Sequence, residues 1–278
     1  MRNSVVLIMV LGLMVAFMAV PAVSHSPTVA PALNNRDVGF SFGNTSSLNW
    51  AGYAVTGSDY SVTNVTASFT IPTVNTGGNS YAAFWVGIDG FNDNTVEQTG
   101  ILAEPSGHGP HATTVYEVWY EFYPAAPVYA NFSAAPGDYV YAWVNYNVTS
   151  GVFTTFIKVT SSSGTVGILK DSQTVSGALA KSAEWIVEAP SSVSGILPLA
   201  DFGTAYFGMN YTGISNTNYA TVSGATGSIG SFSSNTSITM VSSSGTPEAV
   251  PSPLNDNGTS FYVTYVQSSS SGHSHGGK

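Results

Sequence analysis

The sequence predicts an all-β fold, a sandwich of short antiparallel strands. Three observations point there. Between residues 49 and 266 the apolar side chains recur mainly with a period of two, the repeat of a strand with one buried face. Turn residues break these runs at close intervals, as in Gly77-Gly78-Asn79, Pro136-Gly137-Asp138, Ser163-Gly164 and Asn257-Gly258. No long window holds the 3.6-residue stripe of an amphipathic helix, apart from a weak one over 175–181. A stretch of about 220 residues can still be one all-β domain, and no internal repeat divides it.

In chain order, residues 1–24 read as a secretory signal peptide. Arg2 supplies a positive start, 5–20 is an unbroken apolar run, and Ala22-Val23-Ser24 places small residues where a signal is cut. The run is short for a membrane span of about 20 residues, so cleavage and secretion to the extracellular space are expected, with no membrane partner afterwards. Residues 25–46 carry Pro, Ala and Asn without a period and read as a linker or short propeptide. The sandwich is expected over 47–267. Its strands show the alternation directly: Val65, Ala67, Phe69 and Ile71 against Thr66, Ser68 and Thr70; Phe84, Val86 and Ile88 against Trp85 and Gly87; Phe261, Val263 and Tyr265 against Tyr262 and Thr264. The Ser/Gly-rich stretch 268–278 reads as a flexible tail. Its His273 and His275 are taken as a polar end, and no metal or cofactor is expected.

Lys and Arg number 6 against 15 Asp and Glu, a formal net charge of −9, and charged residues are only 8% of the chain, against about 25% in an ordinary soluble domain. Six bases cannot neutralise a run of phosphates, which excludes a nucleic-acid partner. With 43% hydrophobic residues the chain is not disordered through charge, and with 0 Cys it is not a disulfide scaffold. Ser, Thr, Asn, Gly and Tyr must then make most of the surface, and such a surface changes little as carboxylates take up protons. Acid destabilises proteins mainly through paired carboxylates and buried neutral His. A chain poor in both suits an acidic, extracellular setting, although a wall protein or adhesin shares the bias. Asn-x-Ser/Thr sequons at Asn44, Asn64, Asn131, Asn147, Asn210, Asn235 and Asn257 mark possible glycan sites of a glycoprotein.

Three strands carry candidate chemistry. In 111–123, Tyr116, Val118, Tyr120 and Phe122 share a core face, while Val115, Glu117, Trp119, Glu121 and Tyr123 share the other. Carboxylates mixed with large aromatics suit a groove that stacks and hydrogen-bonds a polymer; a solvated face with two stray aromatics is the plainer reading. In 183–189, Ala183, Trp185 and Val187 oppose Glu184, Ile186 and Glu188. In 95–102, Val96, Gln98 and Gly100 oppose Glu97 and Thr99, and Gly100 leaves room for another backbone to approach. The His-Glu-x-x-His zinc motif, the Gly-x-Ser-x-Gly elbow and a Cys nucleophile are all missing. His108 and His111 flank a Gly/Pro turn. Catalysis, if present, must come from carboxylates and amides.

These residues match a known pattern. Asn49-Trp50-Ala51-Gly52-Tyr53, Phe69-Thr70-Ile71-Pro72, Phe84-Trp85-Val86-Gly87-Ile88-Asp89-Gly90 and Gln98-Thr99-Gly100 resemble the glutamic peptidases of the eqolisin (G1) family. So do Trp119-Tyr120-Glu121-Phe122-Tyr123-Pro124, Pro136-Gly137-Asp138, 183–188 and Ala200-Asp201-Phe202-Gly203, in the family's order. The resemblance implies a concanavalin-like β-sandwich of two curved antiparallel sheets and an acid-acting endopeptidase with its groove on the concave sheet. It implies Gln98 and Glu188 as the catalytic pair, with Trp50, Trp85, Glu121 and Tyr123 lining or supporting the cleft. The chain departs from the fungal members in lacking their cysteines, in having Ile101-Leu102 where they carry Val-Asp, and in its short segment before Asn49.

The expected reaction needs an activated water and a group to hold the oxyanion. A free Glu titrates near ~4.3, so Glu188 can act as a base in moderate acid. The Gln98 amide has both an acceptor and a donor and can orient water and hold the developing oxyanion. Polypeptides are the expected substrates and the chain is expected to act as a monomer. Asp89 reads as structural and Glu184 as a neighbour that tunes the field. Two other classes stay open: a carbohydrate-binding, lectin-like module or surface adhesin without catalysis, and, more weakly, a glycoside hydrolase using Glu117 and Glu121.

Overall fold

A computed structural model of the chain describes residues 43–77, 79–107, 113–255 and 257–267. The signal at 1–24, most of the 25–46 segment, His108, His111 and the 268–278 tail lie outside them. The strands are β1 Asn44–Ser47, β2 Trp50–Thr56, β3 Val62–Thr70, β4 Ala82–Ile88, β5 Val96–Ser106, β6 Thr113–Tyr123, β7 Val128–Ser133, β8 Tyr139–Asn147, β9 Val152–Thr160 and β10 Val166–Thr174. They continue as β11 Ser182–Glu188, β12 Ser191–Ser192, β13 Gly195–Ile196, β14 Thr204–Phe207, β15 Tyr219–Val222, β16 Ala225–Ser228, β17 Asn235–Val241, β18 Pro247–Pro251 and β19 Phe261–Tyr265. The one α-helical turn among the described residues is α1, Met209–Thr212.

Two layers follow from the pairings. The first runs β7-β6-β5-β4-β11-β2-β17-β1. In the second, β10-β9-β8-β3 continues through β14 and β15, which share the free edge of β3, and β14 leads on to β19. Strand β18 pairs with both β17 and β19 and so joins the layers. Every pairing between these strands is antiparallel except β1 with β17.

The alternation in the sequence becomes the core. Val86, Ile88, Ile101, Val118 and Val187 of the first layer meet Val65, Phe69, Val140, Ala142 and Ile157 of the second in one apolar cluster. Each such side chain contributes roughly 1.5–3 kcal/mol when fully buried. Trp185 belongs to this inner face, and its indole N–H donates to the Thr66 carbonyl at 2.8 Å, tying the two layers together. The outer face of the first layer has its own cluster, built on Trp50, Trp85, Leu102, Trp119 and Ile186. Strands β4 and β11 are therefore buried along their whole length, whereas β9 alternates buried and half-buried residues.

Two glycines permit the close strand packing. A Cβ on Gly100 would sit 2.2 Å from the Phe84 carbonyl oxygen and 2.5 Å from Trp85 Cβ, the approach its place in the sequence suggests. Gly52 adopts φ +145, and a Cβ there would lie 2.0 Å from the Trp185 carbonyl oxygen.

Two segments differ from their sequence reading. The apolar stripe over 175–181 is turn and irregular chain, not helix. The amides of Leu179, Ala180 and Lys181 point at the Asp89 carboxylate, at 2.9, 2.7 and 2.8 Å, so they cannot donate back to carbonyls one helical turn earlier. At the N-terminal side the sheet reaches into the expected linker, because residues 44–46 already pair with β17. Among the described residues no helix is long and apolar enough to cross a membrane.

Candidate active site

The register of the first layer gathers the candidate residues. Strand β4 lies between β5 and β11. Gly87 of β4 stands opposite Gln98 of β5, which stands opposite Glu121 of β6. On the other side, Ala83 stands opposite Glu188, which stands opposite Trp50 of β2. Directly opposed residues share a face. Gln98, Glu121, Trp85, Glu188 and Trp50 therefore all project from the outer face of the first layer, away from the core between the layers.

Each polar head group is held. The Gln98 Nε2 amide donates to Glu121 Oε2 at 2.7 Å. The Trp85 indole N–H donates to Glu188 Oε2 at 2.7 Å. Trp85 in turn meets Trp50 edge-on, with ring centroids 4.8 Å apart, which fixes the indole that carries the donor. On the opposite face of β5, Thr99 Oγ1 donates to the Trp119 carbonyl at 2.7 Å and pins β5 to β6 beside Gln98. Gln98 and Glu188 are 0% exposed and Glu121 is 1% exposed. Gln98 Oε1 is enclosed with no hydrogen-bond partner among the described residues.

Burial pushes the Glu121 carboxyl well above the usual carboxylate range. The Gln98 N–H offsets part of that rise and the charge of Glu188 adds to it. Glu121 thus stays protonated more readily than a free Glu, and it senses Glu188 across the face. Tyr123, at the end of β6, is half-buried and packs against the Trp50–Trp85 cluster. No three His, Asp or Glu groups among the described residues converge to hold a metal ion. The family resemblance named Gln98, Glu188, Trp50, Trp85, Glu121 and Tyr123, and the structure brings them to one face, but neither the resemblance nor the period of two gives the pairings. That Gln98 bonds Glu121 follows from a register between strands 23 residues apart, which no local periodicity reveals.

Residues 48–250 match the Peptidase A4 family, well over half of the chain. The chain belongs to this family. Among Peptidase A4 relatives, aspergillopepsin-2 of Aspergillus niger is 33% identical over 199 residues, covering 58% of this chain and 62% of that protein. Scytalidopepsin B of Scytalidium lignicola is 32% identical over 91 residues, 32% of each chain. The chain thus spans less than two thirds of the length of these two relatives. Scytalido-glutamic peptidase, solved with a transition-state analogue inhibitor, shares the fold: TM-score 0.61, 22% identity, 78% of this chain and 98% of that one. Aspergilloglutamic peptidase from Aspergillus niger superposes with a TM-score of 0.53 at 26% identity, over 67% of this chain and 99% of that one.

Proposed function

We propose that this Peptidase A4 protein is a secreted, acid-acting endopeptidase that hydrolyses peptide bonds with Gln98 and Glu188. The observation that carries the reading is the pairing on one buried face. Glu188 is fixed by Trp85, and Gln98 is fixed through its Nε2 by Glu121. The free Oε1 of Gln98 remains as an acceptor for a bound water.

In the proposed reaction, ionised Glu188 takes a proton from water as the water oxygen attacks the peptide carbonyl carbon. The Gln98 amide orients that water and donates an N–H to the oxyanion, turning from Glu121 as the substrate binds; one such donor is worth roughly 3 kcal/mol. Glu188 then gives its proton to the leaving amine as the C–N bond breaks. Gln does not titrate, so this half of the pair works unchanged in acid. Both groups are enclosed, so a bound polypeptide has to part the side chains that cover them. Secretion rests on the apolar run over 5–20.

The rival readings fare less well on geometry. Glu117 and Glu121 lie four residues apart on β6, roughly 13 Å at the rise of a strand, beyond the roughly 5–9.5 Å that a glycosidase pair spans. Trp50 and Trp85 pack edge-on against each other, and the Trp85 indole N–H is committed to Glu188, so these rings serve the carboxylate and do not form a flat platform for a sugar. The test is incubation with a denatured protein at acidic pH in the presence of pepstatin. Cleavage at internal bonds is expected; sugar binding without cleavage would replace this reading with a lectin.

A further inference from the structure

A second set of buried acids in the same sheet plays no part in that chemistry. It lies where β4 turns into β5 and the loop 89–95 meets the start of β11. Glu97 stands opposite Ile88 on the core side of the sheet, and Glu184 stands opposite Gly87 on the outer side. Asp89 and Asp93, in the connecting loop, are near enough for both glutamates to feel their charge. Eleven enclosed side-chain polar atoms have no hydrogen-bond partner among the described residues. Seven of them are here: Asp93 Oδ2, Thr95 Oγ1, both oxygens of Glu97, Ser182 Oγ and both oxygens of Glu184. The concentration marks this end of the sheet as built around acids that the protein does not solvate.

An enclosed carboxylate without donors is costly to ionise. Asp89 escapes this through its three backbone amides. The others do not. The one cation close by is Lys181, whose Nζ is 3.9 Å from Asp93 Oδ2. From β8, Tyr146 feels the charge of Asp89 and adds no positive charge. Burial first, then the neighbouring acids, push Glu97 and Glu184 well above the usual carboxylate range, and Asp93 is pushed up to about 7. The acids do not converge as a metal cage would, which favours protons over a cation as what neutralises them.

We propose that Asp93, Glu97 and Glu184 form a proton-held lock, closed in acid and released at neutral pH, that keeps this end of the sandwich folded. The direction follows from linkage. The unfolded chain gives up these protons near pH ~4 while the folded chain keeps them, so stability is greatest in acid and falls as pH rises toward the folded values. Each group multiplies the unfolding constant by about tenfold per pH unit within that window. Glu97 directly precedes Gln98, so release would also dislodge the amide proposed for catalysis. Loss of activity on neutralisation would then come from the fold, whatever the state of Glu188.

The experiment is urea unfolding of the full chain, followed by tryptophan fluorescence from pH 4 to 7. The logarithm of the unfolding constant should rise with pH at a slope of about three protons, with up to one more from Glu121. The Glu97→Gln, Glu184→Gln double variant should lose about two protons of that slope and outlast the wild type at pH 7. An unchanged slope overturns the lock. So does calcium chloride restoring wild-type stability at pH 7, since the cluster would then hold a cation. If the double variant fails to fold, infrared spectra of the wild type at pH 6 decide: the carbonyl band of protonated carboxylic acids must be present, and its absence overturns the proposal. None of these readouts requires proteolysis, so failure of the peptidase reading would leave this test intact.

Discussion

Glu121 and Glu188 each accept a hydrogen bond from a fixed donor, Gln98 Nε2 and Trp85 Nε1, whereas Glu97 and Glu184, equally buried in the same sheet, have no well-aligned donor and only the hydroxyls of Thr95 and Ser182 beside them. Burial is thus common to both regions and does not by itself mark a catalytic acid. The donors make the difference. A carboxyl group aimed by a rigid donor has a defined place for a substrate atom to meet it. One without donors can only be tolerated neutral, which ties it to the stability of the fold.

The largest effect expected within the donor-bearing region is from Gln98→Ala. It should lower kcat by about a hundredfold to a thousandfold while the urea midpoint at acidic pH stays near wild type, because one oxyanion donor is lost; steady-state kinetics on a denatured protein substrate checks it. In the other region, Asp89→Ala strips the acceptor from three backbone amides and should cost about 3 kcal/mol or more in urea unfolding at acidic pH. Little loss there would mean that the 179–181 backbone finds other partners and that the two regions differ less than the hydrogen bonds suggest. Trp85→Phe keeps an aromatic ring but removes one donor to Glu188, and a fall in kcat of about tenfold to a hundredfold is expected from a buried carboxylate that is no longer aimed by the indole. The smallest effect should come from Glu121→Gln. Its side-chain carbonyl can still accept from Gln98, and Glu121 is itself driven toward its neutral form by burial. Activity in acid should change only by about threefold, while the proton count on unfolding drops by up to one.

Much of the donor-bearing region was legible in the sequence. The period of two divides β6 into its inner face, Tyr116, Val118, Tyr120 and Phe122, and an outer face bearing Trp119. It likewise separates Trp185 from Glu184 and Glu188 in β11. Gly100 could be read as a close-approach residue because nothing larger fits a strand that a second backbone crowds. The structural role of Asp89 was legible too, but its partners 90 or more residues away were not. Those same partners explain why the stripe over 175–181 misled: apolar spacing says nothing about where the amides go once a carboxylate claims them. The acid lock was hidden for a related reason. Alternation puts Glu97 and Glu184 on opposite faces of their strands, and only the turn of the 89–95 loop around the strand ends brings their charges within reach of the same aspartates.

The central claim is that Glu188 acts on the substrate while the buried acids around the 89–95 loop hold the fold. Its most direct test is acid cleavage of a denatured protein by purified Glu188→Gln, with urea unfolding measured on the same preparation. The account predicts a folded protein whose proton release on unfolding still carries the steep slope set by Asp93, Glu97 and Glu184, and no cleavage. Cleavage at the wild-type rate by that folded variant would contradict it.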